Sequence, residues 1–190
     1  DHVTHVLTAA LESGRVAQAF LFTGARGVGK TTSARILAKA LNCERRTAAG
    51  GKGKAGGEPC GVCTSCTEIT SGVSLDVLEI DGASNRGIAD VQQLRESVRF
   101  TPTGGRHRIV IIDEVHQLSA DAFAALLKTL EEPPAHLVFI FATTDPQKLP
   151  DTIRSRTQRF DFARVPLRKV AARLQEIARR ESADPEGMKF

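Results

Sequence analysis

Eight residues, Gly24-Ala25-Arg26-Gly27-Val28-Gly29-Lys30-Thr31, constrain this chain more than any other stretch. They follow the apolar run Ala19-Phe20-Leu21-Phe22-Thr23 and open into Thr32-Ser33-Ala34-Arg35-Ile36-Leu37-Ala38-Lys39-Ala40-Leu41, which reads as a helix. Strand, glycine-rich turn and helix are the context that the GxxxxGK[ST] phosphate loop needs. The glycines let backbone N–H groups converge on an anion with no Cβ in the way. The helix that follows points its positive end at the same place. Gly24 to Thr32 are therefore the expected nucleotide contacts, with Lys30 reaching the β and γ phosphates and the Thr31 hydroxyl ligating Mg²⁺.

A second signal lies downstream. Arg108-Ile109-Val110-Ile111-Ile112 is a continuous β-branched run, as expected of a parallel strand buried on both faces. It delivers Asp113-Glu114 at its carboxyl end, the Walker B arrangement. Asp113 is expected to hold Mg²⁺, usually through water, and Glu114 to polarise the attacking water. Leu137 to Thr144 reads as another buried strand ending in two hydroxyls, so Thr143 and Thr144 are candidates to sense the γ-phosphate or orient water. His116 lies near this site, and a histidine so placed is read as a packing or hydrogen-bonding residue. Leu75 to Ile80 and Gln158 to Phe162 complete the expected strands.

Helical spacing predicts further helices at Val3 to Gly14 and Ile88 to Val98, and a short piece at Leu149 to Arg154. Ser119 caps another, Ala120 to Glu131, with Ala122, Phe123, Leu126, Leu127 and Leu130 facing the core and Pro133-Pro134 ending it.

The four cysteines fall between Cys43 and Cys66. Cys60, Cys63 and Cys66 make two overlapping CxxC pairs, and Cys43 supplies the fourth thiol of the tetrahedral set that structural Zn²⁺ takes. A ferredoxin-type iron–sulfur run would require a cysteine at position 70, where Thr70 stands. The expected role is structural, in a small module over residues 43–72 lying outside the phosphate-loop strand–helix unit. Arg45 to Gly57 is Gly-rich, basic and almost free of bulky apolar side chains, so it reads as a flexible, solvated surface insertion.

Hydrophobic and charged residues make up 41% and 25% of the 190, which suits a globular domain. No apolar run approaches the length of a membrane span, so no membrane partner is expected. Cysteines clustered for metal rather than spread as a disulfide framework point to the cytoplasm. The net charge of +4 permits an anionic partner, and without Trp or Tyr any DNA contact is expected at the backbone. Leu167, Val170, Ala171, Leu174, Ile177 and Ala178 form one apolar helix face with little left in the chain to cover it. The expectation is a nucleotide-binding domain over 1–163 and the cut beginning of a second, helical domain over 164–190.

With these motifs and Ser155-Arg156, the chain resembles the AAA+ ATPases. It is more closely similar to the tau/gamma family of bacterial DNA polymerase III clamp-loader subunits. The likeness is carried by Val28-Gly29-Lys30-Thr31-Thr32, the Cys₄ module, Asp113-Glu114-Val115-His116-Gln117-Leu118-Ser119, Leu127-Lys128-Thr129-Leu130-Glu131-Glu132-Pro133-Pro134 and Ala142 to Pro150. The resemblance implies an αβα sandwich on a five-stranded parallel sheet of order 5-1-4-3-2, an inserted zinc module and the start of a helical lid. It also implies a five-subunit ring that uses ATP to open a sliding clamp and place it on primed DNA. Arg156 would enter the neighbouring subunit's site, although Thr157 replaces the cysteine of the family's serine–arginine–cysteine motif. Two departures remain: the Gly-rich tract lengthens the zinc loop, and the family's adenine-holding segment and sensor arginine fall outside Asp1 to Phe190. The rival readings are another AAA+ DNA motor of the branch-migration type and a nucleotide-binding structural subunit that hydrolyses nothing.

Overall fold

The computed structural model describes residues 2–48, 57–84 and 87–180. The apolar runs form five strands: β1 (Ala19–Gly24), β2 (Val77–Asp81), β3 (Arg108–Asp113), β4 (Leu137–Thr143) and β5 (Gln158–Phe162). All pair in parallel, in the order β2-β3-β4-β1-β5, which is the expected order read from the other edge. The helices are α1 (His2–Ser13), α2 (Lys30–Asn42), α3 (Glu44–Ala48), α4 (Thr64–Ser71), α5 (Ile88–Ser97), α6 (Ala120–Glu131), α7 (Asp151–Arg154) and α8 (Leu167–Arg180).

Alternation along the strands feeds two cores. Phe20, Phe22, Ile109, Ile111, Val138 and Ile140 pack with α1, α2 and Ile69 of α4 on one face. Leu21, Val110, Ile112, Phe139 and Phe141 pack with α5, α6 and α7 on the other. β4 is buried throughout, and each large side chain sealed there contributes roughly 2 kcal/mol. The αβα sandwich follows. Because every strand runs the same way, the carboxyl ends of β1, β3 and β4 meet at one edge of the sheet, with β4 in the middle.

Ser119 caps α6 as expected, accepting the Ala122 N–H at 3.2 Å, while Leu127 is only half-buried at the core's margin. The reading of Arg45 to Gly57 as a solvated insertion needs correction at its ends. Arg45 and Arg46 lie in α3, and Gly57 is buried; residues 49–56 lie outside the described residues. Arg46 is half-buried, and its guanidinium donates to the carbonyls of Ala40 (2.8 Å) and Leu11 (3.3 Å), tying together the ends of α1 and α2. The apolar face of α8 is exposed at Leu167, Val170, Leu174 and Ile177, as its spacing suggested.

Two polar anchors, not visible as sequence patterns, fix the loop entering β3. Asn42, the last residue of α2, bridges to His107: its amide donates to the His107 carbonyl (2.8 Å) and its oxygen accepts the His107 N–H (2.9 Å). Asp76 is 6% exposed and accepts the N–H groups of Thr103 (2.7 Å), Gly104 (2.9 Å) and Gly105 (2.7 Å), with Arg108 at 3.6 Å. Burial pushes this carboxyl's pKa up, but the three amides and Arg108 outweigh it and hold it below the usual carboxylate range.

Asp76→Asn brings an N–H donor into a cradle of donors, and is expected to lower stability at pH 7 by about 1–3 kcal/mol in urea unfolding. Since the folded-state pKa is lowered, the carboxylate's contribution is complete above an unfolded value of about 3.9. It is lost as pH falls through the folded value, so the gap between the two proteins should close in acid. Equal stability at pH 7 would show that the cradle contributes nothing.

Candidate nucleotide site and cysteine cluster

β1 hands directly to the phosphate loop, and α2 starts at Lys30. Gly24 is dictated by close approach: a Cβ there would stand 2.5 Å from the Phe162 carbonyl oxygen of β5. The loop then turns through Gly27 and Gly29 at φ 80° and 96°. Lys30 is 6% exposed, and its ammonium donates to the carbonyls of Gly24 (2.9 Å) and Ala25 (3.0 Å) within the loop. The Thr31 hydroxyl donates to Asp113 Oδ2 at 2.5 Å, which unites the two motifs across 82 residues of sequence. A hydroxyl beside a carboxylate is a donor set that suits Mg²⁺ with water completing its shell.

Glu114 follows Asp113 with φ 44° and ψ 44°, the left-handed region, at a cost of roughly 1 kcal/mol for a residue with a side chain. Several contacts hold it there. Its N–H donates to Asp113 Oδ1 (2.9 Å), and its Oε2 accepts the N–H (3.2 Å) and hydroxyl (2.9 Å) of Thr144. Gly82 lets the turn after β2 approach: a Cβ there would lie 2.8 Å from the Glu114 carbonyl oxygen. A cleft of about 920 Å³ is lined by Gly29 to Thr32, Asp113, Glu114 and Thr144.

The two threonines ending β4 differ. Thr144 lines the cleft; Thr143 does not, being fully buried with its hydroxyl accepting the Asp145 N–H (3.0 Å) and meeting His116 Nδ1 at 2.9 Å. His116 is thus a hydrogen-bonding residue, as read from the sequence. What the sequence did not indicate is that the same ring nitrogen lies 3.3 Å from Glu114 Oε2.

Arg156 lies apart from these groups. Gln158 pairs with Phe20, at the far end of β5 from Phe162 and Gly24, so β5 begins roughly 13 Å from the loop edge, and the arginine lies in the turn just before it. Its guanidinium donates to the Thr152 carbonyl and to Glu131 Oε1, both at 3.1 Å. A second cavity of about 680 Å³ adjoins the loop, with Leu7, Val28, Ile36, Phe162, Val165 and Pro166 among its lining residues. Reading the sequence missed it. Its lining is drawn from α1, α2 and the segment after β5, and the weak signal available was apolar Val28 inside the loop.

The four cysteines converge: the sulfurs of Cys43, Cys60, Cys63 and Cys66 all lie within 4.8 Å of one another. A tetrahedron with bonds of about 2.3 Å requires sulfur separations of about 3.8 Å, so small adjustments fit Zn²⁺. The Cys60 N–H points at Cys43 Sγ and the Cys63 N–H at Cys60 Sγ, each at 3.4 Å. The Val62 amide leads in drawing the Cys60 thiol down to about 6, while burial pushes Cys66 up to about 12. The cluster lies outside the β1–α2 unit, as expected, but adjoins it. Cys43 is the C-cap residue of α2, so the helix that starts at Lys30 ends on the cluster.

The sequence profile of the DNA polymerase III, delta subunit family matches residues 1–166. The chain belongs to that family. Its curated relatives carry tau and gamma names. It is 46% identical over 186 residues to DNA polymerase III subunit tau of Bacillus subtilis, covering 98% of this chain and 32% of the relative. It is 46% identical over 181 residues to the tau subunit of Escherichia coli, covering 95% and 27%. The chain thus spans about a third of the length of these curated relatives. Among solved structures, it resembles a DNA polymerase III gamma subunit-related protein of Thermotoga maritima (TM-score 0.59, 22% identity, 91% of this chain and 49% of that one). It also resembles the RuvB Holliday junction branch migration motor of the same organism (TM-score 0.62, 19% identity, 95% and 49%). At those identities the likeness concerns the fold alone.

Proposed function

We propose that this chain is the nucleotide-binding part of the ATPase motor subunit of a DNA polymerase III clamp loader, working in the cytoplasm. The observation that carries this reading is the Thr31–Asp113 contact of 2.5 Å at the mouth of an intact phosphate loop, in a chain 46% identical to tau subunits. The apolar cavity accepts the base, and the loop amides and Lys30 take the triphosphate. Mg²⁺, held by Thr31 and Asp113, would neutralise phosphate charge when bound. Glu114 takes the proton of the attacking water, and Thr144 orients Glu114 and the γ-phosphate.

Arg156 serves the neighbouring subunit. Its distance from its own loop along β5 supports this, since a guanidinium on the far edge of the sheet reaches a site only by presenting that edge to another subunit. Residues 164–190 begin a lid over the base. Partners are the other subunits of a pentameric ring, the sliding clamp and primed DNA held by its backbone. The Cys₄ cluster binds Zn²⁺ structurally and stabilises the end of α2. The complete Gly24–Thr31 loop and Glu114 argue against the rival reading of a structural subunit without hydrolysis.

Lys30→Ala is expected to abolish ATP binding measured by titration calorimetry, and retained affinity would sink the phosphate-loop reading. Arg156→Ala should leave ATP binding by the isolated chain unchanged while lowering hydrolysis in the assembled ring by roughly 10³–10⁵. Loss of binding in the isolated chain would place Arg156 in its own site instead. Metal analysis of chain purified under reducing conditions should find about one zinc per chain, and its removal should lower the melting temperature. A zinc-free sample with unchanged melting would overturn the cluster's role.

A further inference from the structure

His116 belongs to the 3₁₀ turn Val115–Gln117 that follows Glu114. The turn is anchored: Val115 is fully buried, and the Gln117 N–H donates to the Glu114 carbonyl at 2.9 Å. The imidazole is 11% exposed, and its Nδ1 lies between two oxygens, Thr143 Oγ1 at 2.9 Å and Glu114 Oε2 at 3.3 Å. A side chain that only filled space here would need no polar atom at that point.

Proton bookkeeping decides the arrangement. Thr143 Oγ1 already accepts the Asp145 N–H at 3.0 Å, so its position is fixed by the backbone after β4. If the Thr143 hydroxyl donated to Nδ1, the ring would turn a lone pair toward the Glu114 carboxylate. If Nδ1 carries the proton, its N–H is bonded to Thr143 and its positive end lies beside the Glu114 carboxylate, which favours that tautomer. Glu114 Oε2 then accepts from the Thr144 amide and the Thr144 hydroxyl, with the His116 ring N–H a further electrostatic neighbour at 3.3 Å. Oε1 is left for the cleft.

We propose that His116 is a positioning residue for Glu114, locking the Oε2 edge of the carboxylate to the end of β4 through Thr143 so that Oε1 faces the attacking water. The inference rests on the proposed role of Glu114 as the base. It joins the two strand ends flanking the cleft, β3 and β4, by a bridge independent of Thr144.

The test measures steady-state ATP hydrolysis and equilibrium ATP binding in the assembled complex containing the full-length subunit. His116→Ala should lower kcat roughly ten- to a hundredfold through the loss of the Thr143 bond and of the contact with the Glu114 carboxylate, with the dissociation constant for ATP changed less than about twofold. His116→Asn, whose side-chain amide N–H can occupy the Nδ1 position, should recover most of the lost rate. In a Glu114→Gln background, His116→Ala should have little further effect, because the two act as one unit. Undiminished kcat in His116→Ala, an asparagine variant as slow as the alanine one, or a full additional loss in the double variant would each overturn the inference. Glu114→Gln alone separates the two readings. If it hydrolyses ATP at the normal rate, the base assignment fails and the His116 inference fails with it; if it is slow while His116→Ala is not, only the inference fails.

Discussion

The contact between the Thr31 hydroxyl and the Asp113 carboxylate exists because β1 and β3 run parallel on either side of β4. Each strand must carry its motif to the same edge, and buried parallel strands with both faces covered are the arrangement that does so. The two cores are therefore as much a condition of the site as the loop itself. Ile109, Val110, Ile111 and Ile112 fill both layers in turn, so that Asp113 leaves the sheet at the height of the phosphate loop. A one-residue slip of β3 would reverse its faces and turn Asp113 away from Thr31.

α2 connects this chemistry to the cysteine cluster. Its first residue is Lys30, and its C-cap is Cys43. A helix of 13 residues is about 20 Å long; here it has the phosphate loop at one end and a thiol tetrad at the other. Arg46 and Asn42 add ties at the same end, to the carbonyls of Leu11 and Ala40 and to the backbone of His107. The position of the loop is thereby coupled to α1, to the start of β3 and to the cluster.

The parts that periodicity and local chemistry determine are legible in the sequence. The β-branched run before Asp113, the Gly-rich turn after Phe22 and the Ser119 cap each produce their structure from neighbouring residues. The order of the strands is different: it rests on resemblance to a family, because burial alone does not say which parallel strand lies beside which. Tertiary polar contacts were not legible. Asp76 gives no local signal that it will be buried against Thr103, Gly104 and Gly105. Arg46 sits in a tract whose composition reads as solvated, yet it is half-buried because two helix ends present carbonyls to it. Thr143 and Thr144 are adjacent and alike in chemistry. Only the end of the pleat, where one side chain enters the core and the next reaches the cleft, distinguishes them.

That the phosphate loop is half of a shared site can be tested by complementation. Rings would be assembled from equal amounts of Lys30→Ala and Arg156→Ala chains, each nearly inactive alone, and their ATP hydrolysis compared with that of the parent rings. Mixed rings contain junctions where an intact loop meets an intact arginine, so hydrolysis should rise well above the sum of the two parents. A mixture no more active than that sum would contradict a site completed by the neighbouring subunit.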